Sequence, residues 1–137
     1  MELLPAAFGG SIHELRTGGI MLKVHTKKWD AVEVFCLEGQ IVHGETEILR
    51  RVVQGTSAND IILDLSEVSV VDAHGLGVLL QLREQTLGKG AHFELMNVRQ
   101  PLYRIFEITR LNTVFEIDSR MQIFPRAAFA QQMLVAA

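Results

Sequence analysis

DIILDLSEVSVVDAHGLGVLL, residues 60–80, is the stretch on which the reading of the fold turns. Its opening, Asp60-Ile-Ile-Leu-Asp-Leu65, is short and almost wholly apolar, the pattern of a central strand covered on both faces. Its end, Val78-Leu79-Leu80, has the character of a buried helix that runs to about Leu87. A strand that feeds a helix through a loop, here Ser66 to Val71, is one half of a parallel crossover. Asp72 stands where an N-cap belongs and can accept from backbone N–H groups two or three residues on. Gly75 and Gly77 follow, and inside a helix each costs roughly 1 kcal/mol relative to alanine. They make sense where a backbone, a partner or a ligand comes close. Between the acid and the first glycine sits His74.

The segments on either side repeat the alternation. Residues 21 to 27 and 31 to 37 read as two strands joined by the polar turn Lys27-Lys-Trp-Asp30, a hairpin pattern. Gly39 breaks the second. From Gly44 to Gln54 the apolar residues Ile48, Leu49, Val52 and Val53 form a helical stripe that Gly55 can end. Beyond the central helix, Gly88-Lys89-Gly90 combines a terminating glycine with a cation at the negative end of the helix dipole. Residues 91 to 96 read as a strand, Arg99 to Thr109 as a helix that tolerates Pro101 near its first turn, and Val114 to Ile117 as a short edge strand. Pro125 to Leu134 closes the chain as a helix with Phe129, Met133 and Leu134 on one side. The order is β-β-α-β-α-β-α-β-α. It implies an α/β domain with a mixed, mostly parallel sheet flanked by helices. Residues 1–20, with glycine pairs at 9–10 and 18–19, read as an N-terminal extension to a domain spanning 21–137. Met21 is a second possible start of translation.

The chain has 137 residues, 48% apolar and 21% charged, which is ordinary globular composition for one domain. A domain of this size buries roughly two thirds of its unfolded surface and needs no disulfide or metal staple. The net charge of −3, without any Lys/Arg-rich run, argues against a nucleic-acid surface. Cys36 lies alone in an apolar run and reads as a small buried hydrophobe, with nothing nearby to stabilise a thiolate. The N-terminus carries an acid where a signal peptide needs a cation. No stretch approaches the roughly 18 apolar residues of a membrane span. The expectation is a cytoplasmic protein with no membrane insertion.

Gly75-Leu-Gly77 is not a dinucleotide fingerprint, because the third glycine is missing and a long loop precedes the helix. The helix start is nonetheless a natural anion site. Asp64-Leu-Ser-Glu-Val-Ser-Val-Val-Asp-Ala-His-Gly-Leu-Gly-Val-Leu-Leu80 resembles the signature of the STAS domain (sulphate transporter and anti-sigma-factor antagonist). The resemblance runs from about Met21 to at least Ile117. It takes in the Gly39 turn, Lys89-Gly-Ala-His-Phe-Glu-Leu-Met96 and Leu111-Asn-Thr-Val-Phe-Glu-Ile117.

The resemblance implies a small, non-enzymatic domain without a cofactor, similar to the anti-sigma-factor antagonists. In such proteins a serine or threonine just before the Gly-Leu-Gly is phosphorylated by a serine kinase-like ATPase that is also the anti-sigma factor. The unmodified domain binds that partner and the phosphorylated one releases it. Phosphate adds about −1.5 to −2 charges within the contact patch, which repulsion and desolvation then break.

This chain departs from the pattern where the chemistry lies. His74 takes the phosphoacceptor position, Ala73 the neighbouring hydroxyl position, Val42 the place of a frequent acid, and Arg110 that of a frequent glycine. The resemblance places the partner-binding face on Asp72, Ala73, His74, Gly75, Leu76 and Gly77 with Val42 and His43, and Ser69 is a minority phosphoacceptor. His74 itself can be read as a solvent-facing residue without chemistry, as a contact residue, as a pH sensor or as a phosphohistidine. His43 is expected to approach it at the same end of the sheet. The five histidines have no metal-ligand spacing, Ser66 reads as a turn residue, and no nucleophile elbow is present. The expected activity is protein binding in the control of transcription, regulated without the usual serine switch. A nucleotide- or lipid-binding or transporter-regulatory STAS module is the second reading, and a dimer is left open.

Overall fold

Residues 11–17 and 20–118 are described by a computed structural model of the chain. Within them six strands form one sheet, in spatial order β1 to β6. They are β1 (Ser11–Thr17), β2 (Ile20–Trp29), β3 (Val32–Ile41), β4 (Asp60–Val71), β5 (His92–Met96) and β6 (Ile117–Asp118). The helices are α1 (Glu47–Gln54), α2 (Ala73–Gly88) and α3 (Gln100–Ile108), followed by a 3-10 turn at Leu111–Thr113. The β1–β2 and β2–β3 pairs are antiparallel, and the pairs from β3 to β6 are parallel. This is the mixed α/β sheet expected from the alternation of elements, with one strand more at its front edge.

The centre of β4 explains why the apolar run decides the fold. Ile61, Leu63 and Leu65 point to one face and are fully buried. That face also receives Ile48 and Leu49 of α1, Leu79 and Leu82 of α2, and Leu102 and Phe106 of α3 in a single core. Ile62 points the other way and clusters with Val34, Cys36 and Met96 from the neighbouring strands. A strand apolar on both faces cannot sit at a sheet edge without exposing one row, so β4 lies inside the sheet. Each fully buried Leu or Ile contributes about 1.5–3 kcal/mol relative to exposure.

Several boundaries differ from the sequence reading. Ser66 to Val71, expected as a loop, continue β4 and pair with β3 up to Ile41↔Val71. The register shifts between Cys36 and Glu38 and again between Gly39 and Gln40. These bulges disturb the period of two, so Val68 and Val71 are buried while Ser69 and Val70 are exposed. Gly39, expected to end β3, lies inside it at φ +123°, a conformation open to glycine at such a bulge. Ser11–Thr17, expected in the extension, pair antiparallel with β2. The run lacks an apolar alternation, as an edge strand can. The glycine pair at 18–19, read as part of the extension, stands in the sequence between the two paired runs. Helix α1 starts at Glu47 rather than Gly44. After α2 the left-handed turn falls on Gly90 (φ +81°), with Gly88 still helical. β6 starts at Ile117, because Phe115 leaves the strand line to enter the core. The expected helix from Pro125 to Leu134 lies outside the described residues.

Arg110 follows α3 in the left-handed region at φ +64°. A non-glycine residue there costs about 1–2 kcal/mol. Arg110→Gly is therefore expected to raise unfolding stability by about 1 kcal/mol after the greater freedom of glycine in the unfolded chain is subtracted. Urea denaturation reads this as a higher midpoint, and an unchanged or lower midpoint would contradict it.

Candidate functional site

The junction of β4 with α2 lies at the C-terminal end of the parallel strands, beside the end of β3. Asp72 has extended backbone (φ −97°, ψ −175°) and caps α2 by accepting from the Gly75 N–H through Oδ1 at 2.8 Å. Its other oxygen, Oδ2, accepts from the His43 N–H at 3.0 Å. The backbone N–H of Asp72 reaches Ile41 O at 3.4 Å. One carboxylate thus ties the loop after β3 to the first turn of the helix. The two backbone donors, His43 first and then Gly75, hold the Asp72 carboxyl below its ordinary value of 3.8, with His74 and His43 lowering it further.

The two glycines separate into different cases. A Cβ on Gly75 would lie 1.9 Å from Ile41 O and 2.9 Å from its carbonyl carbon. Backbone meets backbone there, and no side chain fits. A Cβ on Gly77 would meet nothing within 4 Å, and Gly77 is exposed. The close approach inferred from the glycine pair is therefore internal at Gly75, whereas Gly77 leaves bare helix backbone facing outward.

His74 is exposed on the first turn of α2. Its ring meets that of His43 edge-on, with centroids 4.9 Å apart and planes at 83°. Its Nε2 lies 3.4 Å from Thr46 Oγ1. The expected approach of His43 to His74 is present. Of the residues nominated from the sequence, Ala73, His74, Gly77 and His43 are exposed and Val42 is half-buried. Gly75 and Leu76 are buried, so they support the surface without forming it. Ser69 is exposed, and its hydroxyl donates to Gly39 O at 3.3 Å. Ser66 is a strand residue and not a turn residue, and its N–H donates to Asp64 Oδ1 at 2.9 Å.

The sequence reading missed Glu45 and Thr46, which are buried although they look like a polar lead-in to α1. Glu45 Oε1 is shielded from solvent without a hydrogen-bond partner, a costly state for a carboxyl oxygen. Nothing in local composition signals this, because burial of a polar segment depends on what the fold packs over it. Val70, 45% exposed, adds an apolar side chain near the same end. Among the described residues no three His, Cys, Asp or Glu side chains gather in a metal-binding arrangement. The Asp72 carboxylate is engaged by backbone donors, so it does not orient His74 as the acid of a catalytic pair would. The resulting surface is a small-residue helix start with two exposed imidazoles.

The STAS domain profile matches residues 24–130. The chain belongs to the STAS domain family. Over 57 residues it is 36% identical to the anti-sigma-B factor antagonist of Listeria monocytogenes, covering 42% of this chain and 50% of that one. Over 63 residues it is 30% identical to the protein of the same description from Bacillus subtilis, covering 46% and 58%. The chain thus spans about half the length of the curated relatives it matches. Among solved structures it resembles an anti-sigma factor antagonist from Mycobacterium paratuberculosis, with a TM-score of 0.59 and 26% identity, covering 78% of this chain and 85% of that one. In this STAS domain the strand-to-helix junction is closed by Asp72 and Gly75. No described helix is long and apolar enough to cross a membrane.

The junction makes two expectations. Gly75→Ala should destabilise the domain by about 3 kcal/mol through overpacking, whereas Gly77→Ala should stabilise it by roughly 0.5–1 kcal/mol. Paired urea titrations would read opposite signs, and equal signs would refute the geometry. The stability that Asp72 contributes through its depressed pKa is present above 3.8 and is lost as pH falls through the folded value. The gap between wild type and Asp72→Asn should therefore hold near neutrality and close in acid. A gap that widens in acid would contradict the assignment.

Proposed function

We propose that this STAS-domain protein is a cytoplasmic regulator of transcription that acts by protein–protein contact, as an anti-sigma-factor antagonist whose docking face is not switched by serine phosphorylation. The observation that carries the reading is His74, solvent-facing on the first turn of α2 with Ala73 beside it. A kinase that phosphorylates serine or threonine finds no hydroxyl at either position. The Gly75 N–H, a donor that a phosphate at this helix start would draw on, is already paired with Asp72. Thr46 Oγ1 lies close to His74, but Thr46 is 5% exposed and closed to a kinase.

The docking face comprises Ala73, His74 and Gly77 of α2 with Val42, His43 and Gly44 of the adjoining loop, over Asp72 as its brace. Its partner is an anti-sigma factor of the serine kinase-like ATPase type. Helix backbone left bare at Gly77 allows that partner close approach. With the imidazoles neutral, the charge among these residues is the Asp72 carboxylate, already held by backbone donors, so a second negative charge in the middle of the face would be poorly tolerated.

His74→Glu is expected to weaken partner binding about tenfold or more by isothermal titration, as a buried unpaired charge does. Unchanged affinity would move the interface elsewhere. Incubated with the partner ATPase and ATP, wild-type protein should gain no phosphate on residues 69–78, Ser69 included, whereas His74→Ser should gain one by mass spectrometry. Stoichiometric phosphorylation of the wild-type helix start would overturn the reading.

A further inference from the structure

At the opposite end of the parallel strands, His92 opens β5 between two carboxylates. Its Nδ1 lies 2.9 Å from Asp60 Oδ1, at the start of β4, and its Nε2 lies 2.6 Å from Glu116 Oε1, just before β6. We propose that Asp60, His92 and Glu116 form a pH-governed clasp that holds the last described strand to the sheet while the imidazole is protonated and lets it open when it is not.

The strand needs such help. β6 has two residues, paired as Leu95↔Ile117 and Met96↔Asp118, and Leu95 N donates to Glu116 O at 2.8 Å. On the helix-covered face the segment is anchored by buried Phe115, whose ring lies 5.6 Å from Phe106 and 6.4 Å from Phe93. On the opposite face the polar tie runs through His92. An imidazolium donates from both nitrogens, whereas a neutral ring carries one N–H and turns a lone pair toward the other carboxylate. Deprotonation therefore breaks one side of the clasp.

The charged groups that act on His92 are acidic: Asp60 of β4, Glu94 of its own strand β5 and Glu116 before β6, while Asp118 of β6 acts on Glu94. The hydrogen bond that the His92 imidazolium donates to Asp60 leads the rise of the His92 pKa above 6.5, and the charges of Glu116, Asp60 and Glu94 add to it against partial burial. The Glu94 carboxyl is pushed up by burial and then by Asp118. Loss of the imidazolium thus leaves carboxylates facing one another across β5 and β6. Because the folded value of His92 is raised, the clasp is fully engaged below 6.5 and is lost as pH rises through the folded value. Phe115 keeps its place in either state, so the opening is confined to the stretch after it. This element is independent of the docking face.

Amide hydrogen exchange of the intact chain, followed by NMR from about pH 6 to about pH 8.5 and corrected for intrinsic rates, tests the clasp. Protection of the Leu95 amide should fall about twofold to fivefold, the range of an exposed ion pair, while that of Leu63 in the centre of β4 should not follow. In His92→Gln the Leu95 protection should be flat with pH, and the wild-type His92 ring should titrate above 6.5. A Leu95 protection independent of pH, an equal fall at Leu63, the same fall in His92→Gln, or a ring midpoint at or below the ordinary value would each overturn the proposal.

Discussion

The carbonyl of Ile41 occupies the space that a side chain at residue 75 would need, and the Asp72 carboxylate closes the contact by binding the N–H groups of His43 and Gly75. Through this one juncture the end of β3, the end of β4 and the start of α2 become a single rigid corner. Everything exposed at that corner inherits its position from it. The two imidazoles come into edge contact because the loop that carries one is tied to the helix that carries the other. The contact works only with glycine, since backbone cannot yield to a methyl group as a flexible side chain can.

That economy of atoms also shapes the chemistry of the face. A helix start with open N–H groups invites an anion, but here a resident carboxylate meets part of the demand, and its depressed pKa records how well it is held. His74, on the first turn of the same helix, leaves the apolar framework beneath undisturbed, where Leu76, Val78 and Leu79 stay buried.

The two ends of the parallel strands are built on different principles. At the end that carries Asp72 and Gly75, backbone geometry dominates, and two imidazoles stand exposed among small residues. At the far end, the last strand is too short to hold by its ladder alone, so a buried ring on one face and a charged cluster on the other share the task. Short ladders leave an edge whose stability depends on side chains, and side chains that titrate make that edge sensitive to its surroundings.

Much of this was legible in the residue order. The apolar run Ile61 to Leu65 demanded a central strand, Asp72 a cap, and the β-α alternation a parallel sheet. Those follow from local physics, because a strand buried on two faces and a helix with a capped start leave period and composition behind as signals. The resemblance carried by Asp64 to Leu80 extended that reading to the family, and the missing hydroxyl at His74 was visible without coordinates. The bulges at Gly39, the continuation of β4 through Ser66 to Val71, and the division of labour between Gly75 and Gly77 were not visible. Each depends on which backbone lies opposite, and pairing across 29 or more residues has no local signature. The burial of Glu45 and the clasp at His92 are tertiary for the same reason. The type of each element is set by neighbours along the chain, but what a polar side chain does is set by neighbours in space.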